Sequence, residues 1–164
     1  MSSVNKNLSQ NEGSAVPNAK AFKFGIVVSE WNFEVTNALK EGAVNTLVTN
    51  GALSENIICK EVPGSFELTL GAQYLAEFTE VDAIICLGCV IQGETRHFDF
   101  ICDAVAKGIT DLNMKYNLPV IFGVLTPQNQ QQAIDRAGGK HGNKGDEAAV
   151  TAIKMLGLRN SFVQ

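Results

Sequence analysis

Along the chain, short apolar runs alternate with longer stretches in which apolar residues recur every three or four positions. Phe22–Ser29 is mostly apolar and β-branched, which predicts a strand. Val35, Leu39, Ala43 and Leu47 then follow at helical spacing, and Asn50-Gly51 supplies a left-handed stop. Ile57–Val62 predicts a second strand, broken by Pro63-Gly64. Ser65 stands where an N-cap would, ahead of a helical pattern Phe66, Leu70, Gln73 or Tyr74, Phe78. From Ile84 the run is nearly continuously apolar, as expected of a strand buried on both faces of a parallel sheet. Phe98, Ile101, Val105, Ile109 and Leu112 carry a helix to about Tyr116. Pro119–Leu125 predicts the fourth strand. A helix carrying Ala133–Arg136 ends at Ala137-Gly138-Gly139, and after the Gly-punctuated basic loop Lys140–Gly145 a last helix runs from Asp146 to about Leu156.

Strand and helix thus alternate four times. That predicts an α/β fold: a single domain with a doubly wound, four-stranded parallel sheet and helices on both faces, a three-layer sandwich. The domain is expected over residues 21–158, between a flexible polar tail at 1–20 and a C-terminal tail at 159–164.

In open α/β sheets, ligands bind outside the carboxyl ends of the strands. The chemistry-capable residues of this chain cluster there. Gln92–His97 turns abruptly polar after the third strand, and the helix start behind it offers unpaired N–H groups to an anion. His97 sits at that start; alone, such a histidine is more often a cap or surface group. Trp31, the single tryptophan, follows the first strand, where it either lids the core or stacks on a flat heterocycle. Ser65 and Glu67 follow the second strand, as a cap and a first-turn acid or as partners of a polar ligand. There is no G-x-G-x-x-G and no P-loop pattern.

Composition narrows the function classes. With 45% hydrophobic and 18% charged residues the chain is globular, and a net charge of −4 argues against a general nucleic-acid or anionic-membrane surface. A small anion remains compatible, since one helix end and one arginine suffice to hold it. Cys86 and Cys89 form a C-x-x-C, but inside a strand residues three apart point to opposite faces, so a core-thiol reading outweighs a metal or redox one. Unpaired cysteines suit a reducing cytosol, which predicts a cytoplasmic protein. Residues 1–20 lack the apolar core of a secretory signal, and no apolar run approaches the roughly 20 residues of a membrane span.

Five segments carry a more specific signal. Trp31-Asn32, Val62-Pro63-Gly64-Ser65-Phe66-Glu67-Leu68, Leu87–Phe98, Val120–Thr126 and Asp135–Gly145 together resemble the lumazine synthase family in order and spacing, across roughly Phe22 to Leu156. The resemblance implies a flavodoxin-like sandwich. It also implies condensation of 5-amino-6-(D-ribitylamino)uracil with 3,4-dihydroxy-2-butanone 4-phosphate to 6,7-dimethyl-8-ribityllumazine, in riboflavin biosynthesis, releasing phosphate and water without cofactor or metal. Trp31 takes the stacking position, commonly Phe in the family. Ser65, Phe66, Glu67, Cys89, Val90, Ile91 and Phe122 take positions that contact the pyrimidine and ribityl chain. Glu94, Thr95 and Arg136 take those of the phosphate, with Lys144 a further cation, and His97 takes that of proton transfer. Arg96 departs from the smaller or uncharged residue usual before that histidine in the family.

The family implies homo-oligomers, pentamers and in some cases sixty-subunit shells, with sites between subunits; riboflavin synthase is a candidate partner. Trp31, Ser65, Glu67, His97 and Arg136 are expected to face one interface, with Phe122 from the neighbour. The Gly138–Gly145 loop without insertion resembles shell formers, whereas Pro17 stands where a strand would pair with a neighbour. Two rivals stand beside this reading: an archaeal-type riboflavin synthase, and a non-catalytic flavin-binding or shell-forming relative.

Overall fold

The four long strands are apolar because a parallel sheet covered by helices buries both its faces. In the computed structural model, which describes residues 15–163, these are β1 (Phe24–Ser29), β2 (Ile57–Val62), β3 (Ala83–Cys89) and β4 (Val120–Leu125). They pair in parallel in the order β2-β1-β3-β4. Every residue of β1 and β3 is buried, whereas β2, at one edge, is half open. The helices are α1 (Phe33–Thr49), α2 (Leu68–Phe78), α3 (His97–Tyr116), α4 (Gln130–Asp135) and α5 (Lys144–Ser161). This is the predicted α/β three-layer architecture.

Side-chain alternation along the central strands divides the core in two. Ile26, Ile85 and Leu87 point to the face where α1 and α5 pack, with Leu39, Leu47, Ile153 and Leu156 fully buried among them. Val27, Ile84 and Cys86 point to the face of α2 and α3, against Leu68, Leu75, Val105 and Ile109. Burying one such leucine or isoleucine stabilises the fold by roughly 2 kcal/mol relative to leaving it in water. The chain leaves β1 toward β2, then crosses back over β1 to reach β3. The strand order therefore reverses between β1 and β3, which in a doubly wound sheet opens a crevice at the carboxyl ends.

Several expectations are corrected. The periodic set Phe66, Leu70, Tyr74, Phe78 is not the core face of α2: all four are exposed, and Leu68, Ala72 and Leu75 are buried instead. Apolar residues stand on two faces of this helix, beside a polar stripe of Thr69, Gln73 and Glu77, so periodicity alone could not choose the inner face. Ser65 is no cap; Ser65–Glu67 form a 3₁₀ turn ahead of α2, without a side-chain cap bond. The run after α4 is not a plain loop, because β5 (Ala137–Gly139) and β6 (Gly142–Asn143) pair antiparallel. Helix α5 runs from Lys144 to Ser161, longer at both ends than predicted and through the start of the expected C-terminal tail. Of the expected N-terminal tail, residues 1–14 lie outside the described residues. Within 15–20, Ala19 is fully buried, its N–H donates to the Asn50 carbonyl, and Val16 packs on the core.

Candidate active site

The crevice at the strand reversal is built by hydrogen bonds that continue the ladders past the strand ends. Glu30 N–H donates to the Val62 carbonyl (2.8 Å) and Trp31 N–H to that of Pro63 (3.2 Å), which carries Trp31 out beside the Pro63-Gly64 turn. On the other side Val90 N–H donates to the Leu125 carbonyl (2.8 Å) and Gln92 N–H to that of Pro127 (2.9 Å). Asn32 locks the two exits together. Its backbone is left-handed (φ 61°), a conformation asparagine tolerates better than most residues. Its side-chain amide donates to the Cys89 carbonyl at 2.9 Å.

The result is a cavity of about 700 Å³ on the α2–α3 side of the strand ends. Trp31 and Asn32 line it from β1, Gly64–Glu67 from the turn after β2, Cys89–Ile91 from β3, and His97, Phe100 and Ile101 from α3. Such a volume suits a small organic ligand. Trp31 is 73% exposed, so it does not lid the core and its indole face is free to stack. His97 is exposed at the first position of α3, and its backbone N–H donates to Thr95 Oγ1 at 3.4 Å. Arg96 lies over the Phe100 ring (5.7 Å to its centre) and near Asp99 (3.7 Å), so its charge stands at the rim of the cavity wall.

Cys86 and Cys89 are fully buried and unpaired, on opposite layers, and burial pushes both thiols up to about 12. Neither supplies a thiolate near neutral pH. Among the described residues no group of three or more His, Cys, Asp or Glu side chains is placed to hold a metal ion. No described helix is long and apolar enough to cross a membrane.

Of the residues singled out by sequence, Trp31, Ser65, Phe66, Glu67, Cys89, Val90, Ile91 and His97 line this one cavity. Glu94 and Thr95 are exposed in the loop leading to His97 but not in its lining. Arg136, Lys144 and Phe122 are not brought to it either. Arg136 follows α4 and donates to Glu147 Oε1 (2.7 Å) and to the His141 carbonyl (2.7 Å). Lys144 Nζ reaches Glu147 Oε2 at 3.2 Å. Glu147 belongs to α5, so both cations are held on the layer opposite the cavity, sharing one carboxylate. Phe122 is partly exposed on β4, the other edge strand. Sequence reasoning passed over Asn32, Gly64, Phe100 and Ile101 as lining residues. An asparagine between a strand and a helix, where left-handed backbone makes a sharp exit, was the available signal for the first.

A sequence profile of the 6,7-dimethyl-8-ribityllumazine synthase family matches residues 21–160. The 6,7-dimethyl-8-ribityllumazine synthase of Cytophaga hutchinsonii is 65% identical over 95% of this chain and 98% of its own length. Its namesake from Parabacteroides distasonis is 56% identical over the same shares. That from Flavobacterium johnsoniae is 55% identical over 97% of this chain and 84% of its own. Similarity of this depth spans the sheet, both helix layers and every segment around the cavity, and the chain belongs to the 6,7-dimethyl-8-ribityllumazine synthase family.

Proposed function

We propose that the protein is a transferase that condenses 5-amino-6-(D-ribitylamino)uracil with 3,4-dihydroxy-2-butanone 4-phosphate to 6,7-dimethyl-8-ribityllumazine, in the cytoplasm. The observation that carries this reading is the convergence of Trp31, the Ser65–Glu67 turn, Cys89–Ile91 and His97 on one cavity at the strand reversal. Trp31 stacks on the flat pyrimidine. The Ser65–Glu67 turn and the backbone of Cys89–Ile91 hydrogen-bond its amide edge and ribityl hydroxyls. His97, at the cavity wall, moves protons as the amine adds to the ketone, as phosphate leaves and as the ring closes. The Glu94-Thr95 backbone at the start of α3 holds the phosphate oxygens.

The phosphate also needs a cation, and Arg136 and Lys144 lie on the other layer of their own chain. A second copy of the chain supplies them, together with Phe122, so the working unit is a homo-oligomer with sites between subunits. The exposed Phe66 of the turn before α2, Leu70, Tyr74 and Phe78 of α2 and Phe100 of α3 give such contacts an apolar surface. A ring of five copies, or a shell built from such rings, closes this head-to-tail contact.

Incubating the purified protein with both substrates and following lumazine absorbance tests the reading. A rate well above that of the uncatalysed condensation is expected. No excess rate overturns it, and consumption of lumazine to riboflavin identifies a riboflavin synthase instead.

A further inference from the structure

Asn32 departs twice from what its place in the chain favours. An asparagine at a helix N-terminus ordinarily accepts from an N–H of the first turn. Asn32 stands at the N-cap of α1 yet makes no such side-chain bond. It also holds a left-handed backbone (φ 61°), which carries a free-energy cost in any residue but glycine. Its side chain is turned to β3 instead, where Nδ2 donates to the Cys89 carbonyl at 2.9 Å. The sheet explains that bond. The N–H groups of Ile84, Val90 and Gln92 donate toward β4 and the segments flanking it. Backbone groups alternate along a strand, so those of Cys89 and Ile91 face β1. By Cys89 β1 has turned away into α1, and Asn32 Nδ2 supplies the rung that its backbone does not.

That bond fixes how the amide is turned. Only the NH2 group can face a carbonyl, so Oδ1 faces elsewhere. It accepts no hydrogen bond among the described residues. The buried side-chain polar atoms without a partner are the hydroxyls of Ser29 and Ser65, and Asn32 Oδ1 is not one of them. Unpaired and not buried, it is open, and the space that Asn32 lines is the cavity. Ile91 lines the cavity too, and its N–H, the next such group on the same edge of β3, is likewise without a partner. An acceptor and a donor thus stand side by side at the cavity wall. Together they complement a ring amide, which offers N–H and C=O on neighbouring atoms.

We propose that Asn32 is a specificity residue for the pyrimidine: its Oδ1 accepts from the ring N3–H, while the Ile91 N–H donates to the adjoining ring carbonyl. This inference deepens the proposed function and rests on it for the identity of the ligand. The edge so read stays intact throughout the reaction, because ring closure uses the amines on C5 and C6 of the uracil. Trp31, the preceding residue, covers the face of the ring while Asn32 meets its edge. A ring alkylated at N3 leaves Oδ1 without a donor, and an unpaired polar group at a binding site is what rejects a near-isosteric ligand.

The test compares 5-amino-6-(D-ribitylamino)uracil with its N3-methyl derivative by calorimetry, in full-length wild-type protein and in Asn32→Gly. Glycine keeps the left-handed backbone without strain and removes the amide. Wild-type protein is expected to bind the methylated ligand at least about tenfold more weakly than the parent. In Asn32→Gly the parent should bind about fivefold more weakly, the size of one neutral hydrogen bond, and the ratio between the two ligands should shrink to about twofold. KM for 3,4-dihydroxy-2-butanone 4-phosphate stays within about twofold of wild type, in line with a contact to the pyrimidine alone. A merely structural Asn32 would instead lower the urea midpoint and weaken both pyrimidines in proportion. A ratio unaltered in Asn32→Gly therefore overturns the inference, as does equal affinity of the wild-type protein for the two ligands. If Asn32→Gly does not fold, the wild-type comparison decides alone. Wild-type protein that neither binds nor converts the parent pyrimidine overturns the proposed function and this inference with it. Wild-type turnover without discrimination at N3 overturns this inference alone.

Discussion

On one side of the sheet, α1 and α5 bury Leu39, Ala43 and Leu47 against Ala149, Ala152, Ile153 and Leu156, and small residues let the two helices approach closely. On the other, α2 and α3 bury one stripe each and leave Phe66, Leu70, Tyr74, Phe78 and Phe100 in solvent around a cavity. The first layer buries these stripes within the chain, although Phe33 and Val48 of α1 and Met155 and Leu158 of α5 are exposed too. The second carries the candidate chemistry and leaves two hydroxyls unpaired, while Arg136 and Lys144 are held by Glu147 on the first. Stability and function are thus assigned to opposite faces of one sheet, and substitutions on the two faces should fail differently.

The largest separation is expected from His97→Ala. His97 is exposed and packs little, so the unfolding midpoint should not move. Turnover should drop by at least about a hundredfold, roughly 3 kcal/mol in the barrier, the range of a lost general acid–base. Steady-state kinetics beside urea unfolding checks this, and activity within a few-fold of wild type removes His97 from proton transfer. Gly145→Ala should do the reverse. A β-carbon at Gly145, in the first turn of α5, would lie 1.9 Å from the Leu39 carbonyl oxygen of α1. Backbone cannot rotate away as a side chain can, so α5 must shift, at a cost of about 3 kcal/mol. Urea unfolding should register that loss, while the pyrimidine affinity of the remaining folded protein stays near normal. A stability change under about 1 kcal/mol would mean that the α1–α5 layer yields more readily than its packing implies.

How far the sequence foretold this division also differs between the layers. The strands were legible because burial on both faces forces an apolar run; Ile57–Val62 matches β2 residue for residue. The α1 spacing was legible too, since Leu39, Ala43 and Leu47 are its buried stripe. α2 misled because it needs apolar residues both inward and outward, so spacing could not tell Leu68, Ala72 and Leu75 from the exposed set. Most of the cavity lining could be named in advance from the strand ends and the family resemblance. Where Arg136 points could not: its direction is set by Glu147 on α5, a tertiary partner that no local pattern announces. The orphaned state of Ser29 and Ser65 was equally silent, because a missing hydrogen bond is a property of packing.

The smallest effect concerns the strand that separates the layers. Cys86 faces the α2–α3 side and Cys89 the α1–α5 side, three residues apart on β3. Burial raises the Cys86 thiol from 9.0 to about 12. Above pH 9 the unfolded chain therefore loses its thiol proton while the folded chain keeps it. The unfolded state then binds fewer protons, and stability falls as pH rises. The contribution is fully present below about pH 8, and on the order of 1 kcal/mol of it is gone by about pH 10. Cys86→Ala should flatten that alkaline limb by this amount in urea unfolding between pH 8 and 10, whatever its own cost at neutral pH. Cys89→Ala acts in the same direction, since burial raises its thiol as well. A Cys86→Ala protein with an unaltered slope would show that water reaches the α2–α3 face of β3. The layer with the cavity would then be open at its core and not only at its rim.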